Sequence, residues 1–197
     1  MRGLPSTPGP RPSTRQAHRG ADIPTHEPPR VTVAPIGPEH TNAIQALASD
    51  PALALTTNLP DPYPPDGAER FVAKVTKTAA EGTEVVYAIL ADDELVGVCG
   101  FLEIGGTPKR AELGYWIGRP YWGRSYATKG VRLALQRGIT DLHLDRIVAC
   151  HITSNPASGR VLERNGFHLT HEGPATRGEK WSPEDIFAHY ELLSGER

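Results

Sequence analysis

Residues 112–130, ELGYWIGRPYWGRSYATKG, constrain this chain more than any other stretch. From Glu112 to Ile117 the pattern is that of a strand. Gly118 and Pro120 then break it, and Trp122-Gly123 turns the chain. Beyond Ser125, Ala127, Val131, Ala134 and Leu135 recur at helical spacing as far as about Thr140. A helix that leaves a strand end with one apolar stripe must lay that stripe on the sheet it came from, so the segment dictates helices packed on a sheet. It also sets up a chemistry. The first turn of a helix carries backbone N–H groups without helical acceptors, and these act with the helix dipole as an anion site. A pyrophosphate would sit on the amides of about Arg124, Ser125, Tyr126, Ala127 and Thr128, with Arg119 and Arg124 adding charge. The alternative is a plain strand–helix connection whose Trp116, Tyr121 and Trp122 are core. These residues alone leave the two readings level.

The rest of the chain completes a mixed sheet. Val31-Thr32-Val33 is β-branched and reads as a first strand. A helix is expected from Glu39 to Ala48. The prolines of Leu59–Pro65 forbid helix or central strand there and leave a rigid loop. Asp66 is expected to cap the next helix, with Glu69 as its capping-box partner. Glu84–Leu90 and Glu94–Phe101 flank Ala91-Asp92-Asp93 as a hairpin. Arg110–Gly118, Asp145–Ile152, Phe167–Thr170 and Ile186–Leu192 are further strands, and Pro156–Asn165 is a short helix ended by Gly166. The order β-α-α-β-β-β-α-β-α-β-β describes an α/β (α+β) domain. It has a mixed, mostly antiparallel sheet of about seven strands flanked by helices.

Residues 1–29 differ in composition. They hold seven of the 19 prolines, four arginines and almost no large apolar side chains, so they cannot offset their ordering entropy and read as a tail. The folded domain is placed at 30–197. Over the whole chain 38% hydrophobic and 22% charged residues suit a soluble globular protein. A net charge of -2 gives no reason to expect nucleic acid or a membrane surface as partner. No apolar run is long enough to span a bilayer and no signal peptide is visible, so a cytoplasmic protein is expected. Cys99 and Cys150 form no CxxC pair and are expected as reduced thiols in apolar strands. The eight histidines show no ligand spacing, and no metal is expected.

A second segment, NPASGRVLERNGF at 155–167, has a good cap in Asn155 and a good first helical residue in Pro156. Asn155 need do nothing more than cap, and Ser158, one turn in, need only face solvent or back-bond to its helix.

Together the two segments resemble the GNAT superfamily of acetyltransferases. The narrower likeness is to its RimJ/RimL-like branch, which acetylates ribosomal-protein N-termini. Trp122-Gly123-Arg124-Ser125-Tyr126-Ala127-Thr128 is similar to that branch's WGxGYAT. Asn155, Ser158, Val161, Leu162, Glu163, Arg164, Gly166 and Phe167 follow its NxxSxxVLEKxGF with Arg for Lys. DPYP at 61–64 and the terminal HYELL also fit, so the likeness spans about 31–194. It implies a GNAT fold and acetyl-CoA as co-substrate. It implies binding of acetyl-CoA by Trp116, Ile117, Arg119, the 122–128 loop, Asn155 and Ser158. Direct transfer to a primary amine follows, with a protein N-terminal α-amine as leading acceptor and monomer or homodimer as assembly.

Glu112 shares a strand face with Gly114 and Trp116, opposite Leu113, Tyr115 and Ile117, and matches the family's base in position. A surface glutamate is the equal alternative. Ser158 aligns with the serine near the coenzyme A sulfur, and Tyr115 and Tyr190 are alternative acids. The backbone N–H near Ile117 is the expected oxyanion donor. Ser125 stands where the branch has glycine; because the helix begins there, right-handed backbone is expected. Other readings are a small-molecule acceptor such as an antibiotic or polyamine, a non-catalytic acetyl-CoA-binding module, and a scaffold that binds no coenzyme A.

Overall fold

The computed structural model describes residues 28–174 and 180–196. Most of the 1–29 tail therefore lies outside the described residues. Seven strands form one sheet in the order β1-β2-β3-β4-β5-β7-β6. They are β1 (Val31–Pro35), β2 (Val85–Ala91), β3 (Glu94–Gly105), β4 (Arg110–Ile117), β5 (Arg146–Ile152), β6 (His168–Pro174) and β7 (Ile186–Leu193). All pairs are antiparallel except β4 with β5, so the expected mixed, mostly antiparallel sheet is present. The β2–β3 turn uses Asp92 at φ 47° and Asp93 at φ 69°, the left-handed pair of a tight hairpin turn that matches strand twist.

The helices are α1 (Thr41–Ala48), α2 (Pro51–Ala54), α3 (Gly67–Ala80), α4 (Tyr126–Thr140) and α5 (Pro156–Glu163). Three local expectations change. Residues 38–40 form a 3₁₀ turn, so the first α-helix starts at Thr41. The single turn α2 was not foreseen; Asp50 caps it by accepting from the Ala52 N–H at 2.9 Å, and Pro51 opens it. At α3 the capping box does not form. Asp66 makes no side-chain cap bond, and its carboxylate instead pairs with Arg70 one turn on, at 2.8 Å.

The sheet separates two cores. On one face α4 and α5 cover Phe101, Val131, Leu135, Ile147 and Leu162. On the other, α1 and α3 cover Ile44, Val72, Val75, Val86 and Val98. Trp116 packs on this second cluster. The strand face shared by Glu112, Gly114 and Trp116, expected to look away from the core, therefore looks in part onto a second core. Helix α4 comes close to the sheet because it has glycine where it crosses. A Cβ at Gly130 would lie 2.6 Å from Ile89 Cδ1, and one at Gly138 2.6 Å from Phe101 Cζ.

Helix propensity alone favours alanine at Gly130 by about 1 kcal/mol. Three atoms of Ile89, itself 0% exposed, stand within 3 Å of the added carbon and have no room to yield. Overpacking costs roughly 1–3 kcal/mol and is expected to win. Gly130→Ala should lower the denaturation midpoint in urea, and a raised midpoint would show that α4 can lift off the sheet.

Candidate active site

Strand β4 pairs with β5 only at Arg110–Arg146, Ala111–Ile147 and Glu112–Val148. Beyond Glu112, β4 continues beside β3 to Ile117, and β5 continues beside β7 to Ile152. The two strands part like a zipper opened from one end. The Gly118 N–H bonds to the Val96 carbonyl on β3 at 2.9 Å. By alternation the N–H groups of Tyr115 and Ile117, beyond the last β4–β5 pair, point the other way, into the opening. A cavity of about 810 Å³ fills the opening and reaches both faces of the sheet.

On the α4 side the wall is the loop foreseen from sequence. Trp122 Nε1 donates to the Ile117 carbonyl at 2.6 Å, which ties the loop to the end of β4. Tyr121 packs edge-on against the buried Tyr126 with ring centres 6.3 Å apart, and its hydroxyl bonds to Glu94. The first helical bond of α4 runs from the Lys129 N–H to the Ser125 carbonyl at 3.1 Å. The amides of Tyr126, Ala127 and Thr128 thus have no helical acceptor, and no acidic residue occupies that turn. Trp122, Gly123, Ser125, Tyr126, Ala127 and Thr128 line the cavity; Arg119 and Arg124 do not. The exposed Arg119 guanidinium stands 3.8 Å from Asp50. Instead Arg160 of α5 and Arg164, which follows its last residue, line the cavity. Sequence reasoning missed them, although Ala157, Arg160, Val161 and Arg164 lie on one helix face counted from Asn155.

Ser125 departs from expectation. Its backbone is left-handed, φ 62° and ψ 12°, and Gly123 two residues earlier has φ 75°. The helix begins one residue later than expected, so Ser125 turns the chain into α4 rather than forming its first turn. A side chain at such a position costs about 1–2 kcal/mol, and Ser125 makes no cap bond in return.

Across the opening, Asn155 caps α5, its Oδ1 accepting from the Ser158 N–H at 3.4 Å. Ser158 Oγ lies 2.7 Å from the Tyr115 hydroxyl, which also reaches the Ser158 carbonyl at 3.0 Å. Burial pushes the Tyr115 phenol far above its ordinary pKa, and the Ser158 bond offsets this only in part, so the proton stays on oxygen. Tyr190 is buried elsewhere in this core and bonds to Glu163 at 3.4 Å. Glu112 projects from the opposite face of β4 and lines the cavity with Gly114 and Trp116. A Cβ at Gly114 would meet only Leu102 at 3.7 Å, so there is free space between Glu112 and Trp116. Cys99 is fully buried, whereas Cys150 is half-buried and lines the opening. Among the described residues no group of three metal-ligating side chains gathers, and no helix is long and apolar enough to cross a membrane.

Residues 30–168 match the family model of the acetyltransferase (GNAT) domain. An uncharacterized N-acetyltransferase p20 of Bacillus licheniformis is 29% identical over 140 residues, 70% of this chain and 79% of that protein. The ribosomal-protein-serine acetyltransferase of Escherichia coli (strain K12) is 32% identical over 88 residues, 45% of this chain and 49% of that one. Among solved structures, the ribosomal L7/L12 α-N-protein acetyltransferase RimL in complex with coenzyme A superposes with a TM-score of 0.74 at 19% identity, covering 83% of this chain and 93% of that one. The spermidine N-acetyltransferase of Vibrio cholerae, in complex with coenzyme A and spermine, gives 0.71 at 17% identity, covering 84% and 96%.

Relief of the left-handed strain should make Ser125→Gly more stable by up to about 1 kcal/mol, the greater freedom of glycine in the unfolded chain offsetting the rest. Denaturant titration of the two proteins checks this, and a loss of stability would show that the serine hydroxyl anchors the loop.

Proposed function

The chain belongs to the GNAT acetyltransferase family and is an N-acetyltransferase; from that premise we propose that it moves the acetyl group of acetyl-CoA directly onto a primary amine, with a protein N-terminal α-amine as the leading acceptor. The observation that carries this reading is the parting of β4 from β5 beside the N-terminus of α4. The amides of Tyr126, Ala127 and Thr128, with Arg160 and Arg164 opposite, are a fitting cradle for a pyrophosphate. The opening then takes the pantetheine arm and sets the thioester carbonyl at the free edge of β4. The relatives that act on ribosomal proteins support the choice of acceptor.

Each residue then has a task. Glu112 takes a proton from the acceptor ammonium, directly or through a water, and frees the nitrogen lone pair. The amine adds to the carbonyl carbon, and the Ile117 N–H donates to the oxyanion that forms. Collapse breaks the carbon–sulfur bond, Ser158 Oγ–H donates to the departing thiolate while Tyr115 O–H restores the serine proton, and the second proton of the acetylated nitrogen, relayed through water, returns the phenol to its neutral form. Burial of Tyr115 favours that neutral form and so drives the return of the proton. The Glu112 and Ser158–Tyr115 sites lie on opposite faces of β4, so base and acid do not neutralise each other. The alternative acceptor is a small-molecule amine, and a non-catalytic module would bind acetyl-CoA without turning it over.

Two measurements test the reading. Acetyl-CoA at one hundred times its Kd should stabilise the protein by about 2.7 kcal/mol in thermal unfolding. Glu112→Gln should lose roughly 100-fold or more in kcat/KM for an N-terminal peptide and keep that thermal shift. A full rate in Glu112→Gln would remove Glu112 from the chemistry. A shift without turnover of any amine would leave the non-catalytic module.

A further inference from the structure

A second cavity, of about 460 Å³, lies on the sheet beyond Glu112. Its lining crosses β4, β5, β7 and β6, with Arg110, Arg146, Glu191, His189 and His171 among the side chains. Glu112 and Cys150 line this trough and the first cavity alike, so the two meet where β4 parts from β5. Among the described residues, the cluster under α1 and α3 takes in β2, β3 and β4 and nothing of β5, β6 or β7. The trough is charged or imidazole in character where a covered sheet face would be apolar.

Hydrogen bonds within the trough fix where its donors and acceptors lie. Thr170 Oγ1 donates to the His189 carbonyl at 3.0 Å, which uses its one proton. The 3.1 Å contact between Thr170 Oγ1 and His171 Nδ1 therefore takes its proton from the imidazole. His189 Nε2, 3.0 Å from the Pro174 carbonyl, carries a proton as well, because a carbonyl only accepts. In the neutral rings this leaves His171 Nε2 and His189 Nδ1 as acceptors. The two rings are stacked, 3° from parallel with centres 4.4 Å apart. Arg146 is taken up by Glu191, through Nε and, at 3.3 Å, Nη2. Its register partner Arg110 is exposed and brings guanidinium donors to the β4 end. With Glu103 and Glu112 the lining carries both signs of charge, which suits neither a polyanion nor a polycation.

The α2 side of the first cavity is tied off. Lys180, which lines neither cavity, donates from Nζ to the carbonyls of Ala54, of Thr57 at 3.0 Å and of Leu59 at 3.4 Å, and Trp181 Nε1 donates to Asn58 Oδ1 at 2.5 Å. This Lys180 clamp holds the loop after α2 that walls the first cavity. A chain that leaves Glu112 along the sheet breaks none of these bonds.

We propose that the trough holds the first residues of a polypeptide acceptor, laid out across β4, β5, β7 and β6 with its amino group at Glu112, and that Arg110, His171 and His189 select a peptide over a small amine. The inference rests on the transferase reading above. Neighbouring strands lie about 4.8 Å apart, so the trough spans roughly 14 Å and takes about four extended residues at ~3.3 Å each. Every residue of such a chain offers one N–H and one C=O, the complement of the imidazole acceptors and the Arg110 donors. A polyamine offers donors alone and gives Arg110 nothing to bind.

The test is a length series at saturating acetyl-CoA, read by thiol release. The acceptors are pools of amino-acid amides and of peptide amides of two, four and eight residues, each randomised in sequence, with spermidine beside them. Between one and four residues kcat/KM should rise roughly 10- to 100-fold, the return on two or three hydrogen bonds, and from four to eight it should change little. His171→Ala and Arg110→Ala should each flatten the rise through KM for the tetrapeptide pool, the thermal shift given by acetyl-CoA showing that each variant is folded. A rise that both variants keep would put the peptide elsewhere and overturn the proposal. A flat series in the unaltered protein, or spermidine as the best acceptor, would overturn it and leave acetyl transfer standing. If that flat series came with a dimer in sedimentation that the two variants dissociate, the trough would belong to a second copy of the chain. Thermal stabilisation by acetyl-CoA with no acetylation of any acceptor would instead overturn the transferase reading and this inference with it.

Discussion

The early end of the β4–β5 ladder is the constraint on which the rest of the molecule depends. Three residue pairs hold the strands together, and then each follows its other neighbour. A sheet interior normally satisfies backbone groups on both edges of every strand. Here the N–H groups of Tyr115 and Ile117 face a cavity, so partners must come from elsewhere. The Ile117 carbonyl shows how: it receives the Trp122 indole, a side chain of the loop that launches α4. One unpaired strand edge thus both opens the site and anchors the loop bounding it.

That loop explains why the local cost at Ser125 is tolerated. Gly123 and Ser125 are both left-handed, and together they swing the chain so that the first turn of α4 points at the opening. Tyr126, the first helical residue, is buried and braced by Tyr121. Packing of this kind over-determines the backbone, and strain persists only where the surroundings hold it. Glycine is the residue that meets the same geometry without that strain.

Much of the fold was legible because the signals are local. Strand alternation, the Asp92-Asp93 turn, the α4 stripe and the Asn155-Pro156 start of α5 each depend on a few neighbouring residues, and each appears where expected. What escaped depends on competition or distance. Asp66 had two suitors, its own helix amides and Arg70, and the charged partner won. Ser125 reads as a helix start from composition, while its dihedral is set by how Trp122 and Tyr126 pack. The second core over Trp116 requires knowing that α1 and α3 cross the same face. The Lys180 clamp joins residues more than one hundred positions apart, and no period or motif announces it.

The division of labour between the two faces follows from the same opened edge. Residues of odd number on β4 turn to α4 and α5, where Tyr115 meets Ser158 in a buried setting that keeps the phenol protonated. Residues of even number turn to α1 and α3, where Glu112 and the bare Gly114 meet a pocket of mixed apolar and polar lining. A closed ladder would put a wall of hydrogen bonds between these environments. Parting β4 from β5 makes the strand edge itself the meeting line, so that a donor from one face and an acceptor from the other reach each other beside the Ile117 amide. In the proposed mechanism the strand's two-residue period thereby separates a proton-accepting side from a proton-donating side within the width of a single backbone.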